Sequence, residues 1–273
     1  MADKESKIRV LFIGAHPDDN DIRGGGTALL YTRLGHQVKF ISVTNGDAGH
    51  QSMAGATLAR RRAEEARKAG GYGGFEYITL DNHDGELEPT LENRKKIIRL
   101  IREFKPGLVI THRPNDYHPD HRYTSTLVQD AMYMVTVPNI CPDTPFLEYN
   151  PVLVYLQDNF TKPQPFQASV VVAIDEILPQ KLKLLDFHVS QVYEWLPYNY
   201  GYLDKVPTDR EGRLALLKEF WAPRWVAEPF RDLLIQEYGT EKGKDIQYAE
   251  AFEAGEHGAS LTPDNIHQLF PFF

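Results

Sequence analysis

The chain predicts an α/β fold: a mainly parallel sheet flanked by helices, with a site at the carboxyl ends of the strands. Two observations carry this. Short, nearly all-apolar runs rich in β-branched residues alternate with longer helical stretches over residues 8–111, the pattern of doubly covered strands joined by right-handed crossovers. Each polar knot also begins where such a run ends, at residues 16–21, 44–47, 81–85 and 112–121. In open sheets of this kind ligands bind beyond those ends.

Taken in order, residues 8–14 read as a strand, and Gly24-Gly25-Gly26 opens a helical stretch to about residue 34. Residues 38–43 follow as strand, 58–69 as a helix rich in Arg, Ala and Glu, 75–80 as strand, 91–104 as helix and 108–111 as strand. Residues 133–165, rich in Pro and aromatic side chains, read as irregular structure around one strand at 152–156. Residues 170–174 suit another strand and 176–189 have helical periodicity. The run 193–202 holds Tyr193, Trp195, Tyr198, Tyr200 and Tyr202 among Pro and Gly. It reads as a loop with an aromatic surface, open to sugar stacking, plain packing or oligomer contact. No repeat or low-complexity linker divides the chain, so residues 1–273 are read as one domain whose second half extends the first and shapes the pocket.

Composition narrows the partners. With 273 residues, 42% of them hydrophobic, the chain can bury a large core. It carries 38 acidic against 30 basic residues, a net charge of -8, and its Lys and Arg are scattered, which speaks against nucleic acid. The single cysteine, Cys141, rules out an intramolecular disulfide and a multi-cysteine zinc site, so any metal is held by His and carboxylate. No apolar run approaches the roughly 18 residues of a transmembrane segment. Residues 1–7 lack the apolar core of a signal peptide, so the chain reads as cytoplasmic unless a leader has been cut away. A homo-oligomer is compatible with the negative surface.

Two knots carry the chemistry: Ala15-His16-Pro17-Asp18-Asp19 and His118-Pro119-Asp120-His121. His16 and Asp19, three apart, can present an imidazole nitrogen and a carboxylate oxygen to one ion, and a catalytic zinc takes three protein ligands and keeps one position open. His121 is the best third ligand, with His118 one turn earlier on the same face. A zinc lowers the pKa of its water toward about 7. Amide hydrolysis further needs a base for that water, read as Asp18, and a positive partner for the oxyanion, read as a protonated His118. Asp116 and Asp120 are near enough in sequence to orient the imidazoles from a second shell. Each knot alone has a plainer reading, as a turn in which Pro fixes φ and Asp caps the next helix.

Seven blocks in order make the chain resemble the PIG-L or LmbE-like zinc hydrolases, the N-acetylglucosaminyl-phosphatidylinositol deacetylase-like family. They are Ala15 to Asp19 with the three glycines behind, Thr44-Asn45-Gly46-Asp47-Ala48-Gly49, Arg62-Ala63-Glu64-Glu65-Ala66, Asp84-Gly85, His118-Pro119-Asp120-His121, His188-Val189-Ser190-Gln191 and Tyr248-Ala249-Glu250-Ala251-Phe252. The resemblance implies a Rossmann-like sheet and metal-dependent removal of an acetyl group from a small amino-sugar conjugate, an N-acetylglucosamine unit often attached to inositol, malate or a lipid. It implies His16, Asp19 and His121 as zinc ligands, Asp18 as base, His118 as the oxyanion-stabilising or acid residue, and Arg62 as an arginine that helps hold substrate. Two His and one carboxylate equally serve iron, cobalt or manganese.

Some readings stay open. Arg62 also suits a solvated helix charge beside Arg60, Arg61 and Lys68. Asn45 and Asp47 could touch the sugar or merely shape a turn, Asp84 is a turn residue or a site wall, and Tyr117 belongs to the rim or to packing. His188 could be core, cap or rim. Asn20 stands where the family pattern continues with Glu, which leaves the second shell around Asp19 differently wired, with Asp21 as the candidate substitute. Two rivals follow: a catalytically weak or idle N-acetyl-sugar-binding relative, suggested by Asn20, and a nucleotide-binding module, suggested by strand, loop, glycines and helix. Against the second, G-x-G-x-x-G spacing is missing and Asp18, Asp19 and Asp21 would repel a pyrophosphate.

Overall fold

The computed structural model describes residues 7–273, so the reading of residues 1–6 lies outside the described residues. Its centre is one sheet of β1 (Arg9–Gly14), β2 (Gln37–Thr44), β3 (Glu76–Asn82), β4 (Leu108–Thr111), β5 (Val152–Leu156), β6 (Val170–Ala173) and β7 (Ala249–Gly258). The strand order is β3-β2-β1-β4-β5-β7-β6. β1 pairs in parallel with both β2 and β4, Phe12 standing beside Phe40 on one side and Ile110 on the other. β7 alone runs antiparallel, between β5 and β6.

The helices are α1 (Asp19–Arg33), α2 (Gly55–Gly73), α3 (Leu91–Phe104), α4 (Pro119–Met134), α5 (Leu178–Asp186), α6 (Leu196–Asn199), α7 (Arg210–Trp221), α8 (Arg231–Tyr238), α9 (Thr240–Asp245) and α10 (Pro263–Leu269). Alternation along the strands gives each face its own core. Val10, Phe12, Phe40, Ile110 and Val154 pack with Ala28, Leu29 and Leu184 of α1 and α5. Leu11, Ile13, Ile41 and Val109 pack with Ile97, Ile101, Leu127 and Val128 of α3 and α4. The chain therefore leaves β1 toward one face and β4 toward the other. The two loops diverge at the point where strand order reverses, and a crevice opens between them.

Several elements differ from the sequence reading. α1 begins at Asp19 rather than at the glycines. Asp19 and Asp21 occupy its first turn, where negative charge suits the helix dipole. The glycines lie inside the helix because it packs too closely for a side chain: a Cβ on Gly24 would stand 2.5 Å from the Phe12 ring, and one on Gly26 2.9 Å from Glu250 and from Ile174. Gly26 and Thr27 N–H donate to the Glu250 carboxylate at 2.8 and 2.7 Å. Lys181 Nζ, ion-paired with Glu250, and Trp225 Nε1 donate to the Ile22 carbonyl at 2.9 and 3.0 Å. This buried junction of α1, α5 and β7 is no phosphate cradle, and the nucleotide-binding reading falls with it.

β7 was not anticipated because Glu250, Glu253 and Glu256 blur its apolar alternation. The aromatic run 193–202 is helical rather than a loop. Ser190–Trp195 forms a π-helical turn that passes into α6, and Tyr193 and Tyr202 are buried while Tyr198 and Tyr200 are exposed. The helical stretch expected at 176–189 is a 3₁₀ turn, Asp175–Ile177, followed by α5. The irregular segment after α4 is organised by buried Arg102, whose guanidinium donates to the carbonyls of Met134, Val135, Val137, Ile140, Cys141 and Thr144. Among the described residues no helix is long and apolar enough to cross a membrane.

Candidate metal centre

The loop from β1 to α1 winds around one carboxylate. Asp19 Oδ2 accepts from the N–H of Ala15 at 3.1 Å and of His16 at 2.7 Å, which turns the His16 ring toward the crevice. From the β4 side, His118 caps α4: its Nδ1 accepts the Asp120 N–H at 3.2 Å, with Pro119 preset at the first helical position. One turn into α4, His121 faces the same crevice, buried.

Three ligand atoms then form a nearly equilateral triangle. His16 Nδ1 and Asp19 Oδ2 are 3.3 Å apart, His121 Nε2 and Asp19 Oδ2 3.3 Å, and His16 Nδ1 and His121 Nε2 3.2 Å. Ligands about 2.0–2.1 Å from a tetrahedral ion stand about 3.4 Å from one another, so the donor set and spacing fit a zinc-like divalent cation. Carboxylates orient the remaining ring nitrogens. His16 Nε2 meets Asp120 Oδ2 and Asp84 Oδ1, each at 3.2 Å, and His121 Nδ1 meets Asp116 Oδ1 at 3.0 Å. Asp120 is itself held by the N–H groups of Gly85 at 2.7 Å and Leu87 at 3.3 Å.

Charge supports the same reading. Asp18, Asp19, Asp84, Asp116 and Asp120 outnumber the guanidinium groups paired with them, those of Arg62 and Arg23. Although burial opposes it, this negative charge raises the pKa of His16 and of His121, which is positive charge that a divalent cation would supply in its place. Burial alone would raise Asp19, yet the His121 and His112 rings hold its carboxyl well below the usual range. Burial would also raise Asp116, but its contact with His121 brings it down to about 2. Asp18 behaves oppositely: burial pushes it up, Arg62 opposes, and neighbouring Asp19 adds to the rise. A carboxylate raised in this way is a better proton acceptor than an exposed aspartate.

Arg62 is 2% exposed, so the solvated-helix reading is set aside. It donates to Asp18 Oδ1 at 3.2 Å and to the Gly46 carbonyl at 3.1 Å, with Asp84 Oδ2 at 3.6 Å. Gly46, at φ 69°, lies so close that a Cβ there would run into the guanidinium. Arg62, Asp84, Tyr117 and His118 line a cleft of about 500 Å³ together with the triangle residues.

Other expectations are corrected. Asn45 Nδ2 donates to Asp81 at 3.1 Å, and its oxygen accepts the Asp47 N–H at 3.1 Å. Asp47 accepts from Asp84 N at 3.0 Å and pairs with His83 at 2.6 Å. Both residues tie loops together and neither lines the cleft. Asn20 turns away from the centre and donates to the Ile41 carbonyl at 3.0 Å. Asp21 faces buried His188 at 3.3 Å rather than Asp19, so it does not stand in for the missing Glu. Among the described residues, Asn20 makes no side-chain hydrogen bond with those of the centre. His118 is a cap before the helix rather than a residue on its face. Burial and the His16 and His121 rings push its pKa down, which favours the neutral ring. Because Nδ1 accepts the capping bond, the proton of that neutral ring sits on Nε2.

Sequence reasoning passed over His112, the first residue beyond β4. It stacks on His121 with centroids 4.1 Å apart, its Nε2 accepts the Ala15 N–H at 3.0 Å and lies 3.2 Å from Asp19 Oδ2. Its place directly after a strand adjoining β1 was the available signal. The blocks at 62–66 and 188–191 meet in space: Glu65 accepts from Ser190 N at 3.0 Å and Oγ at 2.6 Å, and Gln191 donates to the Gly49 carbonyl at 3.1 Å.

Residues 11–132 match the family model described as PIG-L: GlcNAc-PI de-N-acetylase. Diacetylchitobiose deacetylase from Thermococcus kodakarensis is 32% identical over 201 residues, covering 70% of this chain and 74% of that protein. The solved structure of N,N'-diacetylchitobiose deacetylase from Pyrococcus horikoshii superimposes with a TM-score of 0.66 at 25% identity, covering 90% of this chain and 83% of that one. GalB, the 4-carboxy-2-hydroxymuconate hydratase from Pseudomonas putida, superimposes with a TM-score of 0.71 at 17% identity, covering 94% and 99%. That last likeness concerns the fold alone, and a fold does not select a reaction.

Proposed function

The chain belongs to the PIG-L family, and from that premise we propose that it is a metal-dependent hydrolase that removes the acetyl group from an N-acetylglucosamine-type conjugate. The observation that carries this is the triangle of His16 Nδ1, Asp19 Oδ2 and His121 Nε2 with Asp18 beside it. In this reading His16, Asp19 and His121 hold the cation, zinc first and Fe2+ or another divalent ion as alternatives. A cation held by these three residues would supply Lewis-acid polarisation of the amide carbonyl and would acidify the attacking water.

Asp18 takes the proton of that water. Arg62 fixes its carboxylate by the bond at 3.2 Å and leaves the second oxygen for the task. As the C–N bond breaks, Asp18 returns the proton to the departing amine, so acetate and a free amino sugar result. His118 acts as a neutral donor: its Nε2–H faces the carbonyl oxygen as that oxygen gains charge. Asp120, Asp84 and Asp116 hold the two imidazoles in the orientation that ligation requires. The whole chain works as one domain, since β7 returns from the C-terminal part into the sheet beside β5.

Acetate release from N,N'-diacetylchitobiose and other N-acetylglucosamine conjugates, measured before chelation, after it and after adding back Zn2+ or Fe2+, tests the reading. Activity is expected to vanish with the metal and return with it. Full acetate release by metal-free protein would overturn it.

A further inference from the structure

The cleft extends beyond the space needed for the reacting amide, and its outer wall differs in kind from its floor. That wall is made of Trp195, Leu196, Asn199, Tyr200, Trp221 and Arg224, with no carboxylate among them. Arg224, in the turn Ala222–Trp225 that follows α7, lays its guanidinium over the Trp221 ring at 4.8 Å and beside Tyr200 at 5.9 Å. Among the described residues no carboxylate or carbonyl accepts from it.

The other cations near the cleft are committed. Arg62 is bound to Asp18, Gly46 and Asp84, Arg23 to Asp116 and the Gln157 carbonyl, and Arg61 to Glu194. A chain of net charge -8 thus keeps one uncompensated cation on the wall of its own cleft. Stacking restrains the guanidinium plane while leaving its N–H edge free, the arrangement that suits bidentate recognition of a planar or tetrahedral oxyanion.

We propose that Arg224 is the specificity determinant of an outer anion subsite, and that the preferred substrates are acidic conjugates carrying a carboxylate or phosphate on the group attached to the amino sugar. This rests on the deacetylase reading above for its chemistry, though not for its binding. The anion meets the Arg224 N–H edge, Trp221 and Tyr200 hold the guanidinium from behind, and Trp195 offers a face to the intervening ring. An anion held at Arg224 on the outer wall leaves the acetamide as the part of the substrate that points inward.

The test compares kcat/KM of metal-loaded wild type and Arg224→Gln on N-acetylglucosamine 1-phosphate, N-acetylglucosaminyl malate and neutral N,N'-diacetylchitobiose. The ratio of acidic to neutral kcat/KM is expected to fall about 30-fold in the variant, mainly through KM, with partial recovery in Arg224→Lys. The phosphate and malate arms tell which oxyanion is preferred. A ratio unchanged by Arg224→Gln would overturn the subsite. If neither protein releases acetate from any conjugate, the deacetylase reading fails on its own. Calorimetric titration with N-acetylglucosamine 1-phosphate then decides the subsite, since binding weakened about 30-fold by Arg224→Gln supports it and equal binding overturns it.

Discussion

At the inner end of the cleft, His16, Asp19, Asp84, Asp120 and His121 come from loops at the carboxyl ends of parallel strands or the first turns of the helices that follow, and are tied to one another and to backbone N–H groups. At the outer end, Trp195, Tyr200, Trp221 and Arg224 come from helical turns far along the chain and are held by ring stacking. Directional bonds at the inner end leave little freedom in where each atom lies, which is what ligation and proton transfer demand. Ring stacking tolerates a changed neighbour at small cost, which leaves the outer wall free to vary with the substrate.

The sharpest way to break this contrast is at the triangle. His121→Ala should lose the metal and at least about 10³-fold of turnover, whereas Asp18→Asn should keep the metal and still lose about 10²- to 10⁴-fold. Metal content by atomic emission beside kcat checks both, and an Asp18→Asn protein without metal would mean that the base and ligand roles were wrongly divided.

The junction that joins the two ends gives the next largest effect. Glu250→Gln leaves Lys181 buried without its counter-charge, at a cost of about 3–5 kcal/mol, visible as a lowered Tm. Burial brings Lys181 from 10.5 down to about 8 although Glu250 opposes the shift. The folded state therefore sheds this proton first, the unfolded chain binds more protons between those two values, and this group's contribution makes stability rise with pH across that window. Without the carboxylate the window should extend to lower pH. Tm measured against pH for both proteins reads this, and parallel profiles would show that the pair does not govern it.

The smallest effect belongs to the outer wall. Trp195→Ala should leave metal content intact and raise KM about 3- to 10-fold with kcat little altered. A fall in bound metal instead would show that the two ends are mechanically coupled.

The inner end was largely legible before folding. His16, Asp18, Asp19 and His121 follow apolar runs that can only be buried strands, and such strands deliver their loops to one edge of the sheet. Asp116 and Asp120 were placed beside the imidazoles by proximity alone. Asn45 and Asp47 stayed open between sugar and turn because polar side chains in a strand-end loop serve either, and the structure shows their loop partners, Asp81, His83 and Asp84. Asn20 differs in its reason, since neighbours on a helix point about 100° apart, and Asn20 is thereby turned to the Ile41 carbonyl rather than to the centre.

Residue order alone settles the layered α/β class, the strands of the parallel half and the two knots, because period, loop chemistry and strand-end position are local properties. Folding decides the rest: the glycines as close-packing sites against Phe12 and Glu250, β7 as the reversed strand, His112 against His121, and Arg224 at the cleft mouth. Each of these depends on side chains brought together from distant parts of the chain, and no spacing within the sequence encodes such a meeting.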